Sequence, residues 1–221
     1  MVKDASYSYQ GVIVALNRDI GADGFVLRVY GSHTDYEYDT TNALGAPITV
    51  DGDAWQADAM IGYKISRGHW WAAAFVGIDY QSHDLTPDDL TNRVRGSEVG
   101  AKIAVDFATL RDQGPIYAAA SANYSTAFDS YWARGRLGGN LGRITVGPEA
   151  IRLGNDAFDA TRVGGFAMFD LALSRTTSIE ITLSGGYQFL DGNGNGGGAN
   201  GTVGSGGGEG AYFGINVSSV F

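Results

Sequence analysis

Two serine–histidine neighbours are the residues in this chain whose types suit nucleophilic chemistry: Ser32 precedes His33 and Ser82 precedes His83, with His69 standing apart. A hydroxyl nucleophile needs its base within hydrogen-bond reach. Both pairs lie in stretches patterned as β-strands, where successive side chains point to opposite faces, so neither forms a nucleophile and base unless a bulge intervenes. The chain is therefore expected not to be an enzyme. Cysteine is absent, which removes disulfides, thiolate chemistry and Cys-based zinc sites. The run Asp191-Gly192-Asn193-Gly194-Asn195-Gly196 opens like a calcium loop, but its twelfth position is Thr202 where such a loop needs a bidentate Glu. It reads as a glycine-rich loop, and neither metal nor cofactor is expected.

The remaining charged chemistry follows a period of two. From Trp55 to Ile65, one face carries Trp55, Ala57, Ala59, Ile61, Tyr63 and Ile65, and the other carries Gln56, Asp58, Met60, Gly62 and Lys64. Val99, Ala101, Ile103, Val105 and Phe107 oppose Glu98, Gly100, Lys102, Ala104 and Asp106. Ile181, Leu183, Gly185, Tyr187 and Phe189 oppose Glu180, Thr182, Ser184, Gly186 and Gln188. The last strand, Ala211 to Phe221, sets Phe213, Ile215, Val217, Ser219 and Phe221 against Tyr212, Gly214, Asn216, Ser218 and Val220. Such alternation, with 34 Gly, 26 aromatic residues (12 Tyr, 10 Phe, 4 Trp) and only 4 Pro, points to an all-β fold. The longest apolar run, Trp70 to Ile78, is about half of the ~20 residues that a membrane-spanning helix requires.

An antiparallel up-and-down transmembrane β-barrel, forming one domain over residues 1–221, accounts for these features. Connections also alternate in length: Ser66 to Gly68, Arg111 to Gly114 and Arg175 to Thr177 are short, while Asp39 to Asp53, Asp84 to Ser97 and Asp191 to Gly210 are long. Short periplasmic turns and long extracellular loops give that rhythm. The edge strand of a soluble sandwich is the competing reading of the last strand. Eleven strands are readable, starting near Tyr7, Phe25, Ala54, His69, Glu98, Pro115, Tyr131, Ile144, Thr161, Ser178 and Ala211. Single-chain bacterial barrels close with even numbers, so twelve strands are expected in the natural protein, the first lying upstream of Met1, with ten as the alternative. Met1 to Asp4 lacks an apolar signal core, so an exported protein is expected here in mature or trimmed form.

In a barrel the inward set would be Asp58, Lys64, Glu98, Lys102, Asp106, Arg134, Arg136, Glu149 and Glu180, with Arg28. A Lys or Arg facing lipid at mid-depth costs about 2–4 kcal/mol, so inward placement is required whatever these groups do. Two readings stay open: a network of ion pairs that fills a narrow bore, and a polar channel for a neutral or weakly charged solute. The aromatic residues Tyr36, Tyr38, Trp55, Trp70, Trp71, Tyr80, Tyr131 and Trp132 lie near strand ends and suit an interfacial girdle. The sharper reading is stacking on sugar rings, for which Trp132, Tyr36, Tyr38 and Tyr80 are the candidates, Trp132 foremost because it shares a face with Arg134 and Arg136. In the loop His83 to Ser97, Asp84, Asp88 and Asp89 with Arg93 and Arg95 read as a solvated turn around Pro87. A net charge of −9 argues against nucleic acid as a partner.

Tyr80-Gln81-Ser82-His83-Asp84-Leu85-Thr86-Pro87-Asp88-Asp89, followed by Arg95-Gly96-Ser97-Glu98-Val99-Gly100, resembles the most distinctive stretch of the bacterial cellulose biosynthesis protein BcsS family. The similarity continues, in order, through Leu27-Arg28-Val29-Tyr30-Gly31-Ser32, Tyr36-Glu37-Tyr38, Ala59-Met60-Ile61-Gly62-Tyr63, Tyr131-Trp132-Ala133-Arg134-Gly135-Arg136 and Val146-Gly147-Pro148-Glu149. The resemblance implies an outer-membrane barrel associated with cellulose production, and further sequence ahead of Tyr7. It supplies no catalytic residues. The expected partners are outer-membrane lipid and lipopolysaccharide, with cellulose and other cellulose-synthase components. The expected role is export or surface organisation of the glucan through a polar lumen or aromatic rim. A general small-solute porin or structural barrel is the alternative, and a lipid-modifying barrel enzyme is third.

Overall fold

In the computed structural model, which describes residues 5–41, 45–172, 178–190 and 209–220, the chain is one sheet of eleven antiparallel strands in sequence order. They are β1 (Ala5–Ala15), β2 (Gly24–Thr41), β3 (Pro47–Arg67), β4 (Trp70–Thr86), β5 (Gly96–Thr109), β6 (Ile116–Ser125), β7 (Tyr131–Leu141), β8 (Ile144–Asn155), β9 (Phe158–Ala172), β10 (Ser178–Leu190) and β11 (Gly210–Val220). No helix among the described residues is long and apolar enough to cross a membrane. Eleven strands are observed among the described residues. Phe221 and the glycine-rich run 191–208 lie outside the described residues, and with them the calcium-like sequence.

Up-and-down order makes the odd-numbered strands run one way, so β1 and β11 are parallel in direction. Among the described residues no ladder joins these two edge strands. A side-chain hydrogen bond from Asn216 Nδ2 to the Tyr9 hydroxyl bridges them. At one end of the sheet lie the connections after β1, β3, β5 and β7, and we call this the turn end; the connections after β2, β4, β6 and β8 mark the loop end.

The longest strands gather at β2, β3 and β4, with 18, 21 and 17 residues, well beyond the ~9–11 that cross a bilayer. This corrects the long loop expected from Asp39 to Asp53. Its flanks pair as ladder, from Asp39 opposite Thr49 to Thr41 opposite Pro47. β-branched and aromatic residues in Tyr36–Thr41 and Ile48–Val50 suit a half-buried strand, which explains the extension. Pro148 lacks a ladder donor, and β7–β8 pairing is interrupted between Arg136–Glu149 and Gly139–Val146. The chains approach so closely there that a Cβ on Gly147 would lie 1.9 Å from the Leu137 carbonyl oxygen.

The sheet curls until its inner faces meet. Near the loop end Tyr36, Tyr38, Val50 and Ala54 of β2 and β3 pack with Phe158 and Ala160 of β9. Toward the turn end Ala108 and Tyr117 pack with Phe166 and Met168, beside a cluster of Val26, Met60, Ala73, Phe75 and Ala104. The outward face is apolar: Phe25, Leu27, Val29, Ile61, Val76, Ile78, Val99, Ile103, Phe213, Ile215 and Val217 are all exposed. Apolar patches of that extent are rare on monomeric proteins surrounded by water.

Candidate functional site

Strand register decides which inward charges meet. Asp58 and Asp79 are ladder partners on β3 and β4, both facing in and both almost wholly buried. Two carboxylates directly opposite repel, and the Lys102 ammonium of β5 resolves the conflict at 2.6 Å from Asp58 and 3.4 Å from Asp79. Arg28 approaches Asp58 at 4.0 Å and Asp106 at 3.5 Å, and its guanidinium lies over the Phe75 ring. Gln56 Nε2 donates to Asp79 at 3.0 Å, and Gln81 Nε2 donates to Asp79 at 2.8 Å and to Ser130 Oγ at 2.6 Å. Arg28, Lys102, Asp58, Asp79 and Asp106 thus form one cross-braced cluster on the β2–β5 wall.

On the β7–β9 wall, Arg136 is ion-paired with its ladder partner Glu149 and lies 5.0 Å above the Phe166 ring. Tyr212 donates its hydroxyl to Glu149 at 3.4 Å. Arg134 stacks over Trp132 at 5.1 Å. Arg162 lies 5.5 Å from the Tyr212 ring and donates from Nε to Gln188 at 2.7 Å. At the turn end Arg111, in the β5–β6 connection, reaches Asp170 at 2.8 Å and Glu180 at 3.2 Å.

Several expected residues stand elsewhere. Glu98 is not in the charged cluster: it sits near the loop end of β5, where its carboxylate accepts the Phe128 backbone N–H at 3.1 Å and holds the 126–130 turn. Lys64 donates to the Ile20 carbonyl and lies 5.2 Å from the Trp71 ring, pinning the β1–β2 turn. Tyr36 and Tyr38 are buried in the inner apolar cluster, not placed at a girdle. Their even-numbered positions on β2 put them inside, where Tyr38 donates to Asp89 at 3.0 Å and accepts from Asn92 at 3.0 Å, tying the β4–β5 loop into the mouth. Tyr80 faces outward and donates to Ser97 at 3.2 Å. Ser82 and His83 point to opposite faces: Ser82 Oγ bonds the exposed Ser97, and buried His83 packs edge-on against Phe128.

Asp79, Arg111 and Arg162 were missed as inward charges. Continuing the alternation from Ala73 through Phe75 and Gly77 would have reached Asp79, but Phe75 and Val76 are both large and apolar, and leave the face of β4 undecided. Gly164-Gly165 does the same beside Arg162, and Arg111 lies in a turn.

Charged groups of both walls, among them the Arg28–Asp106 pair, Arg134 and Arg162, line a cavity of about 470 Å³ together with Tyr7, Tyr9, Tyr30 and Trp132. Tyr9 and Asn216 also line it, so it reaches the gap between β1 and β11. Outside the wall, His33, Asp35 and Asp53 are the described group whose ligand atoms lie close enough together to hold a cation. His33 Nε2 is 2.7 Å from Asp53 and Nδ1 is 3.6 Å from Asp35. A hydrogen-bonded imidazole between two carboxylates accounts for that geometry.

The family model for cellulose biosynthesis protein BcsS matches residues 1–221, the whole chain. The chain belongs to the BcsS family. No curated protein and no solved structure matches it. Membership implies a role in cellulose biosynthesis. Of the residues that carry the sequence resemblance, Arg28, Trp132 and Arg134 line one cavity, while Tyr80 faces outward.

Proposed function

We propose that this protein is a non-enzymatic outer-membrane barrel that serves cellulose production by organising the glucan at the cell surface, and not by conducting it. The outward apolar belt supports a bilayer location, with outer-membrane lipid and lipopolysaccharide as its surroundings. One observation carries the choice between surface organisation and export: the bore is obstructed in series. Near both ends side chains of opposite walls pack together across the interior, and between them the Lys102, Asp58, Asp79 and Arg28 cluster occupies the β2–β5 wall and narrows the space a polymer would need. The same obstruction weighs against a general porin.

Planar-bilayer conductance tests this directly. The purified protein is expected to give no steady current, with or without cello-oligosaccharide. A steady current blocked by the sugar would overturn the reading in favour of export. In cells, deletion of the gene is expected to release cellulose from the surface without stopping its synthesis, and His33→Ala with His83→Ala is expected to leave lipid profiles unchanged.

A further inference from the structure

The two walls of the cavity are not charged alike. On the β2–β5 side every cation facing the cavity has a carboxylate partner: Arg28 has Asp58 and Asp106, and Lys102 has Asp58 and Asp79. On the β7–β9 side Glu149 is taken by Arg136. Among the described residues no carboxylate lies within ion-pair distance of Arg134 or Arg162, although both line the cavity. Register makes them a pair. Arg134 is the ladder partner of Ile151, and Ile151 is the ladder partner of Arg162, so the two arginines stand on one row with a single strand between them. Two strand spacings set their Cα atoms roughly 10 Å apart, close enough for two long side chains to converge on one group.

Each guanidinium is also held in place. Arg134 rests on Trp132, and Arg162 rests on Tyr212 with its Nε bonded to Gln188, which leaves the terminal nitrogens of Arg162 for another acceptor. His83 lines the same cavity, is 6% exposed, and its buried Nδ1 has no hydrogen-bond partner. Half-buried cations without a counter-charge are costly, and walls of low dielectric focus their field into the cavity.

We infer that this chamber is an anion-binding site, and that it takes a phosphate-bearing group of about monosaccharide size, held between Arg134 and Arg162. A phosphomonoester carries about −1.5 to −2 charges near neutrality, which matches two guanidiniums better than a single carboxylate does. The planar fork of arginine suits its oxygens, and Trp132 offers an apolar face to an attached sugar ring. Cellulose is uncharged, so this ligand is distinct from the glucan, and the inference does not rest on the surface role proposed above. The phosphate arrives either on a free sugar phosphate or on a lipid headgroup through the gap between β1 and β11.

Calorimetric titration of the full chain in detergent with glucose 6-phosphate, inorganic phosphate and glucose tests the site. Both phosphates are expected to bind, the sugar phosphate more tightly, and glucose is not. Arg134→Gln and Arg162→Gln are each expected to weaken binding about tenfold to a hundredfold, the range for losing one charge-assisted contact. The double variant is expected to abolish it, and Arg95→Gln, in an exposed loop, to change nothing. Heat-modifiable migration of each variant checks that the barrel has folded, and Arg134→Lys, which keeps the charge but loses the fork, is expected to recover part of the affinity. Glucose binding as tightly as its phosphate, or a double variant binding like the wild type, overturns the proposal. Nanodiscs containing lipid A, compared with phosphatidylcholine alone, separate the sources. Loss of glucose 6-phosphate binding in lipid A discs, dependent on both arginines, assigns the site to a headgroup, and retention assigns it to the free anion. Absence of binding by both sources overturns it.

Discussion

The inner surfaces of β2–β5 and β7–β9 carry similar side chains and use them in opposite ways. On the first, Asp58 and Asp79 face each other across a ladder and are bound by Lys102, with Arg28 at 4.0 Å from Asp58 and Gln81 donating to Asp79. On the second, Arg136 takes the carboxylate of Glu149, while Arg134 and Arg162 rest on Trp132 and Tyr212 with no carboxylate within ion-pair distance among the described residues. A compensated cluster is braced by opposite charges, whereas an uncompensated one directs its field into the cavity. The contrast separates a wall that holds the barrel shut from a wall poised for a ligand.

The largest effect is expected on the compensated wall. Lys102→Met removes the one ammonium shared by two buried carboxylates, and breaking a buried pair costs about 3–5 kcal/mol. The midpoint of urea unfolding in detergent should fall accordingly. The triple variant Lys102→Met, Asp58→Asn, Asp79→Asn should recover most of the loss. If Lys102→Met alone unfolds like the wild type, the cluster is not a brace and the comparison fails.

The opposite sign is expected on the other wall. Arg134→Gln removes a half-buried cation that has no carboxylate within ion-pair distance, so the ligand-free protein should gain slightly in stability, the relief of charge outweighing the lost stacking on Trp132. A loss of stability would mean that Arg134 is compensated after all and that the two walls do not differ. Arg136→Gln, two residues along the same strand, should lose stability because it strands Glu149.

Much of this contrast was legible in the sequence, because a period of two with lipid-like residues on one side leaves charged residues only one place to go. Arg28, Asp58, Lys102, Asp106, Arg134, Arg136 and Glu149 all follow from alternation. Their pairing does not follow, since it depends on which residues of neighbouring strands share a rung, and register is a property of two strands together. Asp79 escaped because Phe75 and Val76 satisfy either face equally. Tyr36 and Tyr38 were misplaced for a related reason: a tyrosine body fills an inner core as well as it fills a girdle, and only the extension of β2 beyond bilayer length decides between them. The obstruction of the bore was least legible, because Phe158 and Tyr38 are 120 positions apart and meet only when the sheet curls.

The smallest effect belongs to a charge pair outside both walls, and it calibrates the others. Asp23, in the β1–β2 turn, accepts the Ser66 backbone N–H at 2.7 Å and pairs with Arg67 at 2.8 Å. The backbone hydrogen bond first, and then Arg67, hold its carboxyl below its ordinary value. A depressed carboxyl contributes stability above its unfolded pKa and loses it as pH falls through the folded value. Its contribution should therefore be full at neutral pH and decline as pH falls below the ordinary carboxyl pKa of about 4 toward the lower folded value. Asp23→Asn should lower the unfolding midpoint slightly at pH 7, and by progressively less as pH falls through the acid range. Arg134→Gln, which removes a group charged throughout this range, should act throughout it. Equal responses of the two variants to pH would show that the wall charges behave like solvated ones, and the distinction between the walls would lose its physical basis.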